Sequence, residues 1–108
     1  MIYELRVYHC APGRLPALNQ RFETTTLKLW EKHGIRQVGF WTSYVGPSNQ
    51  TLTYLLAWDS LAARERIWAA FSTDPEWVEK RAASEASGVI VERIDNSLLT
   101  PTAYSALQ

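Results

Sequence analysis

Glu4, Arg6 and Tyr8 stand two residues apart near the start of the chain and bring together a carboxylate, a guanidinium and a phenol. Successive strand side chains point to opposite faces, so a two-residue spacing puts all three on one surface. There Arg6 can hold a carboxylate or an enolate while Glu4 or Tyr8 exchanges a proton with it, a minimal arrangement for general acid–base chemistry. These three are the candidate catalytic residues. Trp41 and Trp58 are the large rings expected to wall the same space, which makes Glu4, Arg6, Tyr8, Trp41 and Trp58 the candidate ligand-binding set. The same charges also have a purely structural reading, as cross-strand ion pairs that hold register with the last strand, where Glu92 or Arg93 can approach them.

Other reactive side chains offer less. His9 and Cys10 are adjacent, with His33 further along. Neighbours on a strand diverge, so His9 and Cys10 cannot share an ion, and no metal site is expected. His33 reads as a residue near a helix C-terminus, favoured there by the macrodipole, and Cys10 as a small strand-end residue with no activating base beside it. The chain has no phosphate-binding glycine loop, nucleophile elbow or paired-histidine zinc motif, so no cofactor is expected.

The elements that must position these groups follow from periodicity. Ile2 to His9 alternates as a strand, with Leu5 and Val7 assigned to the helix-covered side and Glu4, Arg6 and Tyr8 to the opposite one. Pro12-Gly13 breaks it. Leu15, Leu18, Phe22 and Leu29 then form a helical stripe that ends at Gly34, a left-handed cap. Ile35 to Val45 reads as a second strand and Thr51 to Trp58 as a third, joined by the turn-forming run Gly46-Pro47-Ser48-Asn49-Gln50. Asp59-Ser60 opens a helix whose buried stripe is read as Ala63, Ile67, Ala70 and Phe71. Asp74-Pro75 opens a short further helix through Trp77, and Gly88 precedes a last strand over about Val89 to Ile94. The charges Arg64-Glu65-Arg66 and the pair Glu76 and Lys80 read as solvated faces.

The order β-α-β-β-α-β is the split βαβ of ferredoxin-like folds, an α+β class with a four-stranded antiparallel sheet, here as one domain over residues 1–108. Two helices cover only one face of such a sheet. Strand three is apolar on both sides, with Leu52, Tyr54, Leu56 and Trp58 against Leu55 and Ala57, and strand two repeats this with Val38 and Phe40 against Trp41 and Val45. The uncovered face is therefore expected to pair with a second copy, giving a homodimeric α+β barrel. With 11 Lys and Arg against 11 Asp and Glu, and no clustering, there is no basic field to attract nucleic acid or an anionic membrane. No stretch is long and apolar enough for a membrane span, and the charged first residues are unlike a signal peptide, so a cytoplasmic location is expected.

Five segments resemble, in order and spacing, the NIPSNAP family: Ile2-Tyr3-Glu4-Leu5-Arg6, Gly39-Phe40-Trp41, Gly46-Pro47-Ser48-Asn49-Gln50, Trp58-Asp59-Ser60-Leu61 and Asp74-Pro75-Glu76-Trp77. The closing segment Asp95-Asn96-Ser97-Leu98-Leu99-Thr100-Pro101-Thr102 is similar too, with Asp95 and Ser97 where Glu and Lys are more usual. The resemblance implies a dimeric α+β barrel, an architecture also used by small cofactor-independent monooxygenases, isomerases and haem-handling proteins. It implies no single reaction, since animal members of the family have binding and scaffolding roles. Two functions therefore stand side by side. One is a module that binds a small apolar ligand or a protein partner, and the other is a cofactor-independent monooxygenase or isomerase acting on an aromatic or polyketide-like substrate.

Overall fold

The computed structural model describes residues 1–108 and contains four strands: β1 (Ile2–Cys10), β2 (Arg36–Thr42), β3 (Thr51–Trp58) and β4 (Val91–Leu99). They form one antiparallel sheet in the order β2-β3-β1-β4. Between β1 and β2 the chain runs through α1 (Leu15–Arg21), a π-helical turn (Phe22–Thr26) and α2 (Leu27–His33). Between β3 and β4 it runs through α3 (Leu61–Ser72) and α4 (Pro75–Ser84). This is the ferredoxin-like α+β arrangement expected from the order of elements.

Three helix ends are built as their residues dictate. Gly34 closes α2 at φ +79°, a left-handed conformation, and the Ile35 amide reaches back to the Trp30 carbonyl at 2.9 Å. Ser60 caps α3 by accepting from the Ala63 amide at 3.0 Å, and Asp74 caps α4 by accepting from the Glu76 amide at 2.9 Å. The π turn has its own logic. Leu18, Phe22, Thr26 and Trp30 are each four residues apart and all are buried. Four residues overshoot a 3.6-residue turn, so a wider turn in the middle keeps the four on one face.

The core lies between the helices and the sheet face formed by Leu52, Tyr54, Leu56 and Trp58 of β3. Phe22, Trp30, Phe40 and Tyr54 pack on one another there with centroids 4.8 to 5.9 Å apart.

Several boundaries and faces differ from the sequence reading. β2 ends at Thr42, so Val45, and with it Tyr44, lies in an exposed loop from Ser43 to Gln50, not on a strand. β4 starts at Val91 and continues to Leu99, because β1 offers an unbroken partner from Tyr3, opposite Leu99, to His9, opposite Arg93, and pairs again at Cys10 with Val91 past a local shift of register. The buried side of α3 carries Arg64 and Trp68 beside Ala63, Ile67 and Phe71, whereas Ala70 is exposed. The largest correction concerns β1. Glu4, Arg6 and Tyr8 face the helices, and Tyr3, Leu5, Val7 and His9 face the other side. Register decides this, since Glu4, Arg6 and Tyr8 stand opposite Leu56, Tyr54 and Leu52, the core face of β3.

The uncovered face is not uniformly greasy. At one end the C-terminal segment folds back, and the Tyr3 hydroxyl donates to the Gln108 carbonyl at 2.7 Å. At the other end Arg93, His9 and Asp95 form a polar group, with His9 Nε2 2.9 Å from the Asp95 carboxylate. Between them lie Leu5, Val7 and Leu55, partly exposed, and Trp41, 53% exposed with its ring laid over Gly39.

Candidate functional site

The site starts at Glu4, which is completely buried beneath α3. Its carboxylate accepts five hydrogen bonds. Arg64 donates through Nε at 2.8 Å and Nη2 at 3.0 Å, Arg6 through Nη1 at 2.9 Å, the Trp58 indole at 3.1 Å and the Asn96 amide at 3.0 Å. Burial alone would raise the pKa of this carboxyl, but the donors Arg64, Asn96 and Arg6 outweigh it and lower the value from 4.5 to about 2. An ionised carboxylate offers about four lone-pair positions, so Glu4 has none left for a ligand proton. It lines neither cavity beside Tyr8.

Arg6 is held from every side. Nε donates to the Tyr54 hydroxyl at 2.7 Å, Nη1 to Glu4, and Nη2 to the Tyr8 hydroxyl at 3.3 Å, while Trp68 stacks its ring face 4.7 Å from the guanidinium carbon. Burial opposes its charge, but its polar partners, Tyr8 and Tyr54 first and Glu4 with them, more than compensate, so Arg6 is a permanent cation. Tyr54 donates onward to Tyr8 at 2.9 Å, and burial pushes the Tyr54 phenol well above its usual pKa. Tyr8 therefore receives both Arg6 and Tyr54, which leaves its own hydroxyl proton without an acceptor in the protein.

Tyr8 borders open space. A cavity of about 240 Å³ lies between β1 and the helices, with Arg6, Tyr8 and Arg21 on its lining and Trp68, Phe71 and Trp77 among its walls. It adjoins an outer cleft of about 260 Å³ beside β4, with which it shares Tyr8, Arg21, Trp77, Arg81 and Ile94.

Of the residues singled out in the sequence, Glu4, Arg6, Tyr8 and Trp58 converge in one buried network, on the helix side of the sheet and not on the uncovered side. Trp41 is separated from them, since it projects from the far face of β2. The β4 residue that reaches Glu4 is Asn96, not Glu92 or Arg93; Arg93 joins His9 and Asp95 across the sheet. His33 does lie at the end of α2, with Nε2 2.7 Å from the Asp74 carboxylate, which Lys32 also meets at 2.9 Å. Those hydrogen bonds hold Asp74 well below the usual carboxylate range. Cys10 is buried inward, away from His9, and burial raises its thiol pKa against the opposing influence of Arg21.

Sequence reasoning missed Arg21, Arg64, Trp68 and Arg81. A signal existed for two of them. Arg21 follows Leu18 by three residues and precedes Phe22, and Arg64 precedes Ile67 and Trp68 by three and four, so both charges sit on apolar helical stripes.

Comparison with known proteins fits this architecture. A NIPSNAP family protein of unknown function from Agrobacterium tumefaciens is 27% identical, over 100% of this chain and 94% of its own, with a TM-score of 0.86. A NIPSNAP-like domain protein from Burkholderia xenovorans is 25% identical, over 96% of this chain and 87% of its own, with a TM-score of 0.82. A candidate antibiotic biosynthesis monooxygenase from Nitrosomonas europaea shares the fold, at 9% identity over 94% of this chain and 98% of its own and a TM-score of 0.64. None of the curated proteins matches. The NIPSNAP family model matches residues 3–106, and the chain belongs to that family.

Proposed function

We propose that this NIPSNAP protein is a homodimeric α+β barrel whose subunits each bind a small, largely apolar ligand between the helices and the sheet. The observation that carries the reading is the cavity beside Tyr8, which combines aromatic walls with a few fixed polar groups, the usual make-up of a small-molecule site. Arg6 and Tyr8 act as the polar floor. Glu4 and Trp58 act one step back, with Glu4 as the counter-ion that holds Arg6 in place and Trp58 as a donor to that counter-ion. The dimer forms through the uncovered sheet face, where Leu5, Val7, Leu55 and Trp41 make an apolar strip between the folded-back C-terminal segment and the His9–Asp95 group. Titration with 2-naphthol, followed by tryptophan fluorescence, tests the cavity. Saturable binding is expected, and Ile94→Trp, which fills the entrance from β4, should abolish it. Binding unaffected by that substitution would overturn the reading.

One observation favours the second reading, a cofactor-independent monooxygenase or isomerase. A phenol with an uncommitted proton beside a permanent guanidinium is suited to receive an enolate or another oxyanion as it forms. On this reading Tyr8 is the proton donor and Arg6 the electrostatic partner, while Glu4, saturated and ionised, moves no proton.

A further inference from the structure

Arg21 is 6% exposed and poorly satisfied for a buried cation. Nη1 makes two long contacts, 3.3 Å each, to Ser84 Oγ and Glu85 Oε1, and Nε has no partner. Trp30, 2% exposed, also has an unpartnered indole N–H. Buried polar atoms without partners are rare enough that each calls for an explanation. Both residues line the cavity that Tyr8 borders, and the spare Tyr8 proton adds a third unmet donor. No side-chain acceptor is left similarly unpartnered and buried.

The charges agree. Arg6, Arg21 and Arg81 line the inner cavity, and no carboxylate does. Arg6 shares Glu4 with Arg64, Arg21 is paired only through its 3.3 Å contact to Glu85, and Arg81 makes no ion pair. Glu85 and Glu92 border only the outer cleft, where Arg93 accompanies them. A ligand that completes this site must therefore accept hydrogen bonds, carry negative charge and present a flat apolar body to Trp68, Phe71 and Trp77.

Resting on the ligand-cavity reading above, we propose that the cavity selects aromatic carboxylic acids in their ionised form, with the carboxylate received by Tyr8 and Arg21, Arg81 guarding the entrance and the ring lying among the tryptophans. The test is calorimetric titration with benzoate, cinnamate and 2-naphthoate, each beside its neutral amide. At least one acid should bind saturably, and its amide at least tenfold more weakly. Tyr8→Phe and Arg81→Gln should each weaken the acid by about tenfold, and Arg81→Gln, which removes only charge, should leave the amide unchanged. Arg81 is exposed and outside the core, so its variant reports on the site even where Tyr8→Phe alters packing. Equal binding of acid and amide would overturn the charge selectivity and leave the cavity reading standing. Failure of all six compounds at millimolar concentration would overturn both, and acid binding indifferent to the two substitutions would put the ligand elsewhere and overturn the proposal.

Discussion

The Arg64 guanidinium closes on both oxygens of Glu4, with Nε 2.8 Å from Oε1 and Nη2 3.0 Å from Oε2, and so ties α3 to β1 through a fully buried carboxylate. Arg6 and Asn96 bring the centre and the edge of the sheet to one of those oxygens, Oε2. The fold and the candidate site thus share one counter-ion, and changes there should be felt in both.

Replacing Glu4 by Ala leaves Arg6 and Arg64 without their common partner, the first buried and the second largely so. Breaking a buried pair on one side costs about 3–5 kcal/mol. Urea unfolding of Glu4→Ala should show a loss of that size. Arg64→Leu should cost less, because Arg6, Trp58 and Asn96 still meet the carboxylate. A Glu4→Ala protein as stable as the parent would contradict the central place given to this residue.

Acid should unfold the protein partly through the same group. The folded-state pKa of Glu4 is depressed from 4.5 to about 2, so its ionised form contributes stability that is complete above about 4.5 and lost as pH falls toward about 2. Asp74 is shifted in the same direction by Lys32 and His33 and adds to the loss at the acid end. Thermal melts between pH 6 and 2 should show Tm falling across that window. In Glu4→Gln the fall should be shallower, since the titrating group is gone.

Leu55 lies in the apolar strip of the uncovered sheet face, opposite Leu5. A charge there has little effect on a lone subunit but would be desolvated in a sheet-to-sheet dimer. Sedimentation equilibrium should give a dimer for the parent and a monomer, still folded by circular dichroism, for Leu55→Asp. A parent that sediments as a monomer at micromolar concentration would remove the dimer from the proposed function.

Gly34 tests the helix end. At φ +79° nothing lies within 4 Å of the place a methyl group would take, so Gly34→Ala is opposed by backbone conformation alone. That cost is about 1–2 kcal/mol, and chemical denaturation should show a loss in this range with an unchanged circular dichroism spectrum.

Local rules made much of this architecture readable from the residues. Alternation marked β1, the turn-forming run Gly46–Gln50 led into β3, Gly34, Ser60 and Asp74 marked helix ends, and the order of elements led to the antiparallel sheet. The grouping of Glu4, Arg6 and Tyr8 was also legible, because a period of two needs no tertiary information. Which side of the sheet they occupy was not. Both faces of β1 mix polar and apolar residues, and a face holding Glu, Arg and Tyr looks like the wet one until partners are counted.

What the chain determined by itself was which residues travel together: a strand's alternation and a helix's turn are properties of neighbours in sequence. What only the tertiary structure decided was where each group points, because that depends on register with β3 and on charges supplied from far away, Arg64 from α3 and Asn96 from β4. A buried Glu4 is tolerable only when those distant donors arrive together, and no local pattern encodes their arrival.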